Sequence, residues 1–167
     1  MRLPEGLTSI GDSAFSGCSG LSGELLLPKN LTSIGARAFW NCSGLSGDLR
    51  LPEGLTSIGY STFEGCISLC GELWLPECLT NIGFCAFEGC SSLSGGLRLP
   101  EGLTRIGYGA LLECDGIEKI VFNNPFTIIK EPLNAYTSAV ICGYRDSTAE
   151  EYARTHDLAF EELRRSV

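Results

Sequence analysis

The nine residues LPEGLTSIG occupy positions 3–11 and return unchanged at 51–59. Variants stand at 27–35 (LPKNLTSIG), 75–83 (LPECLTNIG) and 99–107 (LPEGLTRIG), so successive copies lie 24 residues apart. A second block runs between them: SAFSGCSGLSGEL, RAFWNCSGLSGDL, STFEGCISLCGEL, CAFEGCSSLSGGL and, one residue shorter, GALLECDGIEKI. A fixed period of this kind implies a solenoid. One unit has only enough apolar residues to cover one side of one coil, and stacking buries those sides against each other. Leu21, Leu25, Leu27, Leu31 and Ile34 recur as Leu or Ile in the full later copies and are placed inside. Leu25 and Leu27 flank position 26 with the period of two that marks a strand. The proline at 28, 52, 76 and 100 ends that strand, because it has no N–H for the ladder. LTSIG is read as a second short extended piece, and AF-x-x-C as one turn of α- or 3₁₀-helix.

The period lies in the leucine-rich-repeat range. The expected fold is a β-rich leucine-rich-repeat solenoid of about five 24-residue coils over residues 1–123, with the first coil truncated. A C-terminal strand–helix cap over 124–167 completes one continuous domain. Within that cap IEKIVF (117–122) leads into an irregular coil, NNPFTIIKEPLNAY. AVICGY (139–144) reads as a strand, and Ser147 with Glu150 forms a capping box that opens a short helix to about Thr155. The signature IG-x-x-AF-x-x-C-x-x-L, carried by LPEGLTSIGDSAFSGCSGL and its copies, resembles the BspA-like (Treponema pallidum-type) leucine-rich repeats of bacterial surface proteins. These units depart from it by one extra residue, through LSGEL or its equivalent. The resemblance implies a concave parallel sheet that binds proteins, and an extracellular or cell-surface location.

Nine cysteines raise the question of metal or disulfides, most sharply in CISLCGELWLPEC, 66–78. Cys18, Cys42, Cys66, Cys90 and Cys114 share one register between inward-facing apolar residues, and are read as a core column of reduced thiols. A structural zinc site needs four converging ligands at short spacings, which a line of thiols does not supply, so no metal is expected. Cys70 and Cys78 flank a strand at opposite ends and cannot pair with each other. Cys85 stands where Ser13 and Ser61 stand, and reads as drift at a tolerant site.

In a solenoid, function sits on columns of outward-facing residues. The centre of the L-x-L strand reads Arg2, Leu26, Arg50, Trp74, Arg98 and Val121, and two positions earlier stand Glu24, Asp48, Glu72 and Gly96. Arg50, Trp74 and Arg98, with Asp48 and Glu72, are the candidate ligand-binding residues, since Trp and Arg are enriched at binding hot spots. The competing reading is a cation–π ladder that only stabilises the sheet. Tyr60, Phe84 and Tyr108 form a secondary candidate surface, and Trp40 is expected to be exposed. Glu5, Glu53, Glu77 and Glu101 read as a solvated ridge, and the threonine column (Thr8, Thr32, Thr56, Thr80, Thr104) as satisfying backbone groups.

The net charge of −8 opposes nucleic acid and anionic lipid as partners. No apolar run approaches the roughly 20 residues of a membrane span, and the start lacks the pattern of a signal peptide. The single histidine, His156, has no triad-like neighbours, and no G-x-x-x-x-G-K-[ST] is present, so neither catalysis nor a cofactor is expected. The expected role is a non-enzymatic protein-interaction or adhesion module. The alternatives are a structural spacer with no ligand of its own, or glycan binding. The truncated first coil would leave an uncovered end, consistent with a fragment of a longer array or a homodimer through that end.

Overall fold

An L-x-L triplet puts two leucines on one side of an extended chain and the residue between them on the other. In the computed structural model of the chain, which describes residues 1–134 and 138–164, this alternation builds a parallel β-solenoid of about seven turns. One face carries the longer strands β2 (Gly23–Glu24), β4 (Leu45–Arg50), β6 (Leu69–Trp74), β8 (Gly95–Leu99), β10 (Ile117–Phe122), β12 (Val140–Gly143) and β13 (Phe160–Glu162). A second face carries two-residue strands: β1 (Ser9–Ile10), β3 (Ser33–Ile34), β5 (Ser57–Ile58), β7 (Asn81–Ile82), β9 (Arg105–Ile106) and β11 (Ile128–Ile129). Leu49 is buried while Asp48 and Arg50 are exposed, as the alternation requires.

The AF-x-x-C blocks are not helical turns. Alternate N–H groups do close back three residues, as in Ser16 to Ser13 O (3.0 Å) and Cys18 to Phe15 O (3.1 Å). The others leave the coil: Ser13, Phe15 and Gly17 donate to the carbonyls of Ala36, Ala38 and Trp40 at 2.8, 2.8 and 2.6 Å. Left-handed residues at Ser13 (φ 55) and Gly17 (φ 71) turn every second peptide along the stack, a geometry a helix does not have. This ladder of turns repeats in each coil as far as Gly109 to Pro132 O and Leu111 to Leu133 O.

Beneath the ladder the phenylalanine rings stack. Phe15, Phe39, Phe63 and Phe87 have successive ring centroids 5.3, 5.4 and 5.6 Å apart, nearly parallel. Leu111 continues the column. The threonine column behaves as expected: Thr32, Thr80 and Thr104 each donate from Oγ1 to the carbonyl of the threonine one coil earlier, at 3.0–3.2 Å.

Residues 123–134, expected as irregular coil, instead form another layer, while Ala135 and Tyr136 lie outside the described residues. Ile128 and Ile129 pair with Arg105 and Ile106, and Thr127 donates to Leu103 O at 2.8 Å. The missing residue of the fifth block shows in the register: Arg98 pairs with Val121, where a full repeat would offer Phe122. Helix α1 (Thr148–Thr155) starts where the capping box places it. Ser147 Oγ accepts from the Glu150 N–H at 3.3 Å, and the Glu150 carboxylate accepts from the Asp146 N–H at 2.6 Å. The helix buries Ala149, Tyr152 and Ala153 against the end of the core.

The stacked rings set the stability of the array. Phe63→Ala is expected to cost about 3–5 kcal/mol, the usual loss for a buried phenylalanine, and Phe63→Leu far less, because Leu111 already fills that column. Urea unfolding midpoints at unchanged m-value measure both.

Candidate functional site: the long-strand face and its neighbours

The central residues of β4 and β6 meet as the alternation predicts. Arg50 pairs with Trp74 in register, and its guanidinium lies 5.1 Å from the centre of the indole. Arg50 also bonds Asp48 Oδ2 at 3.1 Å, with both side chains well exposed, so the pair contributes little to stability. Trp74 itself is 47% exposed.

On the other side of Trp74 the sheet is interrupted. One sheet is β2–β4–β6 and the next is β8–β10–β12–β13. Between β6 and β8 the contacts are a bridge at Gly71 and Leu93 and the Ser94 N–H to Gly71 O, at 2.8 Å. Arg98 therefore does not mirror Arg50 over the indole, and the ladder of two guanidiniums about one aromatic is one-sided. A groove of about 480 Å³ occupies the gap, lined by Glu72, Trp74, Gly96, Arg98 and Lys119 among others. Gly96 lies where Asp48 and Glu72 stand in earlier coils, and open space lies above it. Among the described residues neither Glu72 nor Arg98 has an ion-pair partner, whereas Lys119 is paired with Glu161. A second groove, of about 500 Å³, lies on the other side of Arg50 and is lined by Leu26, Lys29 and Asp48. A larger hollow of about 580 Å³ lies beside α1 and contains none of the candidate ligand-binding residues, though the capping pair Ser147 and Glu150 line it.

The aromatic column of the secondary candidate surface is exposed but is not a uniform stack. Tyr60, Phe84 and Tyr108 are each more than 40% exposed. Phe84 and Tyr108 stack at 5.5 Å, whereas Tyr60 lies under Arg37 at 4.8 Å and accepts from its guanidinium at 2.7 Å. Trp40 is half-buried rather than exposed, because its Nε1–H donates to Glu64 Oε1 at 3.0 Å. His156 ends α1, with Nδ1 2.9 Å from Tyr152 O and its ring stacked on Tyr152.

The thiol column is reduced and buried, as expected, except at its start. Cys42, Cys66, Cys90 and Cys114 are fully buried, while Cys18, expected in the same core column, is exposed in the first coil. Each buried thiol donates to the phenylalanine carbonyl one coil earlier: Cys42 to Phe15, Cys66 to Phe39, Cys90 to Phe63 and Cys114 to Phe87, at 3.0–3.1 Å. Nothing in the spacing of the cysteines announces that bond; it depends on the depth at which the ring column sits. Burial, above all, pushes Cys66 and Cys114 up to about 12 and raises Cys42 and Cys90. Cys142 is also free and buried, with its Sγ 3.7 Å from Glu161 Oε2.

Cys85 departs from its reading as neutral drift. Its Sγ, a Glu64 oxygen and a Glu88 oxygen lie within 4.8 Å of one another. The thiol is raised to about 12 by burial first and then by the two carboxylates.

The family described as BspA type leucine rich repeat region (6 copies) matches residues 1–71. Residues 1–71 thus match BspA-type leucine-rich repeats. Two crystal structures share the fold. A leucine-rich repeat protein of Bacteroides ovatus superposes with a TM-score of 0.64 at 27% identity, covering 81% of this chain and 43% of that one. A leucine-rich repeat protein of Treponema pallidum gives 0.65 at 26% identity, covering 95% and 83%. The chain thus spans less than half of the Bacteroides structure. No curated protein sequence matches it. Leucine-rich repeats of this type suggest a protein-interaction or structural module, and the families that carry them are generally non-enzymatic scaffolds. No helix among the described residues is long and apolar enough to cross a membrane.

The thiol column makes stability depend on alkaline pH. The unfolded thiol ionises near 9.0, whereas folded Cys66 and Cys114 hold their protons to about 12. Below 9.0 neither state loses these protons and the stability is fully present; between 9.0 and about 12 only the unfolded chain releases them, so stability falls as pH rises. The slope is about 1.4 kcal/mol per pH unit for each such thiol. Urea midpoints across that range should decline less in Cys66→Ala than in the parent.

Proposed function

We propose that this chain is a non-enzymatic protein-binding module of a secreted or surface-displayed bacterial protein, acting in adhesion, with its ligand held across the long-strand sheet at Trp74. The observation that carries this reading is the setting of Trp74. A large aromatic side chain stands half-exposed on the long-strand face, with a guanidinium on one flank and an open groove on the other. An aromatic and an arginine held in place lose little freedom on binding, and these residue types dominate interface energetics. Arg98 and Glu72 lie in the groove without ion-pair partners, so they are free to meet groups of opposite charge on a ligand. Asp48 is committed to Arg50, and its contribution is to hold that guanidinium over the ring.

A spacer that only displays other segments is the second reading. It is favoured by the identity of residues 3–11 and 51–59, since unvaried coils present the same surface twice. The two readings differ at one residue. In a binding panel of extracellular-matrix and mucosal proteins, Trp74→Ala should weaken a captured ligand at least tenfold, about 1.4 kcal/mol, and Arg98→Ala should weaken it in the same direction. Tyr108→Ala, on the separate aromatic stripe, should leave it unchanged. Equal binding by parent and Trp74→Ala, or no binding by either, favours the spacer.

A further inference from the structure

We propose that Glu64, Cys85 and Glu88, backed by Ser61, form a binding site for one thiophilic divalent cation of the zinc class. The site lies on the turn ladder, away from the long-strand face. Glu64 and Glu88 occupy the same position in successive coils, which stacks two carboxylates side by side, and Cys85 brings a thiol between them. None of the ion pairs among the described residues involves Glu64 or Glu88. Glu113, one coil further, adds another carboxylate close by, its Oε2 3.9 Å from where a side chain on Gly89 would begin. Negative groups crowded in this way, with no ion-pair partner among the described residues, attract an external cation.

Ser61 is an independent pointer. It is fully buried, and its Oγ is the one buried side-chain nitrogen or oxygen among the described residues without a hydrogen-bond partner. A buried hydroxyl left unbonded costs about 1–3 kcal/mol, so an orphan of this kind needs a reason. Ser61 and Cys85 hold the same position in adjacent coils with the same left-handed backbone, φ 51 in both. The Cys85 Sγ leans toward the next coil, 3.3 Å from where a side chain on Gly109 would begin. Ser61 therefore lies one coil before Cys85 in the same column, beside the cluster.

The donor set selects the ion. A thiolate with two carboxylates suits zinc or cadmium and disfavours magnesium and calcium, which take oxygen alone. Zinc–ligand lengths of about 2.0–2.3 Å put tetrahedral ligand atoms roughly 3.3–3.7 Å apart, so the three groups need to close by about 1 Å. The two glutamates are half-buried and flexible enough to do so. The Trp40 Nε1–H on Glu64 Oε1 orients that carboxylate, as hydrogen bonds from outside a metal site commonly do. On binding, the Cys85 S–H bond breaks, sulfur keeps the electron pair and gives it to the metal, and the proton passes to solvent. The fourth position falls to a water, as at zinc sites with three protein ligands.

The test titrates cadmium into the full, reduced, metal-free chain, following the ultraviolet cadmium–thiolate charge-transfer band and the heat of binding. The exposed thiols are first removed as Cys18→Ser, Cys70→Ser and Cys78→Ser. That background should bind one cadmium per chain with the band of a single thiolate, displaced by zinc and not by magnesium. Adding Cys85→Ser, which restores the residue present at Ser13 and Ser61 and therefore keeps the fold, should abolish the band and weaken binding at least tenfold. Glu88→Gln should keep the band and also weaken binding at least tenfold. The proposal is overturned if the background shows no band, if the band survives Cys85→Ser, or if Glu88→Gln binds as tightly as the background.

Discussion

Each coil must pass alternate backbone N–H groups to the next one, and the rest of the molecule depends on that. The turn blocks are packed over the core, where an unpaired N–H has no water to turn to. Closing every N–H within its own turn would make a helix and leave nothing to join the coils. The chain divides them instead, and left-handed residues such as Ser61 and Gly65 rotate every second peptide toward the neighbouring coil. Once the peptides are so aimed, the phenylalanine between them points inward and its ring lands on the ring below. Its carbonyl, which accepts the cysteine N–H of its own coil, has a second lone pair. The thiol of the next coil takes it, as Cys66 does at Phe39. A cysteine recurs there because a thiol is small and apolar enough to bury and still has one weak hydrogen to give.

This spine is continuous, so the sheets on either face need not be. The short-strand ladder stops between β3 and β5, and the long-strand ladder between β6 and β8. The ladder of turns crosses both places unbroken, with Arg37 bonded to Tyr60 and Ser61 to Phe84. Stacking therefore survives where a face opens, and the opening beside Trp74 costs only the bonds of that face. An open face and a folded core coexist here because different hydrogen bonds maintain them.

The period of 24, the inward leucines, the proline stops and the capping box at Ser147 were all legible in the sequence. Each is a local or strictly periodic signal, and the repeats lie in register by construction. The turn ladder was not legible as such, because AF-x-x-C suits a helical turn equally well. What decides is the backbone at Ser13, Arg37 and Ser61, residues that carry no glycine's mark of a left-handed conformation. The same limit applies to the candidate surface. Placing Arg50 beside Trp74 needed only the period, but the gap between β6 and β8 follows from how two coils settle on each other. The half-buried Trp40 and the clustering of Cys85 with Glu64 and Glu88 depend on side chains reaching across coils, which reading along the chain treats as separate columns.

Columns that face the core or form the ladder are held constant by packing, so their sameness carries no functional information. The informative comparison is between exposed columns, which packing leaves free. Glu5, Glu53, Glu77 and Glu101 are all exposed and all alike, broken only by Lys29. The centre of the long-strand face is equally exposed over its first five members and reads Arg, Leu, Arg, Trp, Arg. If the chain only filled distance, two exposed columns on the same coils would drift alike. One has kept its residue and the other has changed in size, charge and aromaticity, with the largest side chain at the edge of the one break in that sheet. That unequal drift supports the proposal that recognition belongs to the long-strand face, where different coils present different chemistry on an otherwise uniform frame.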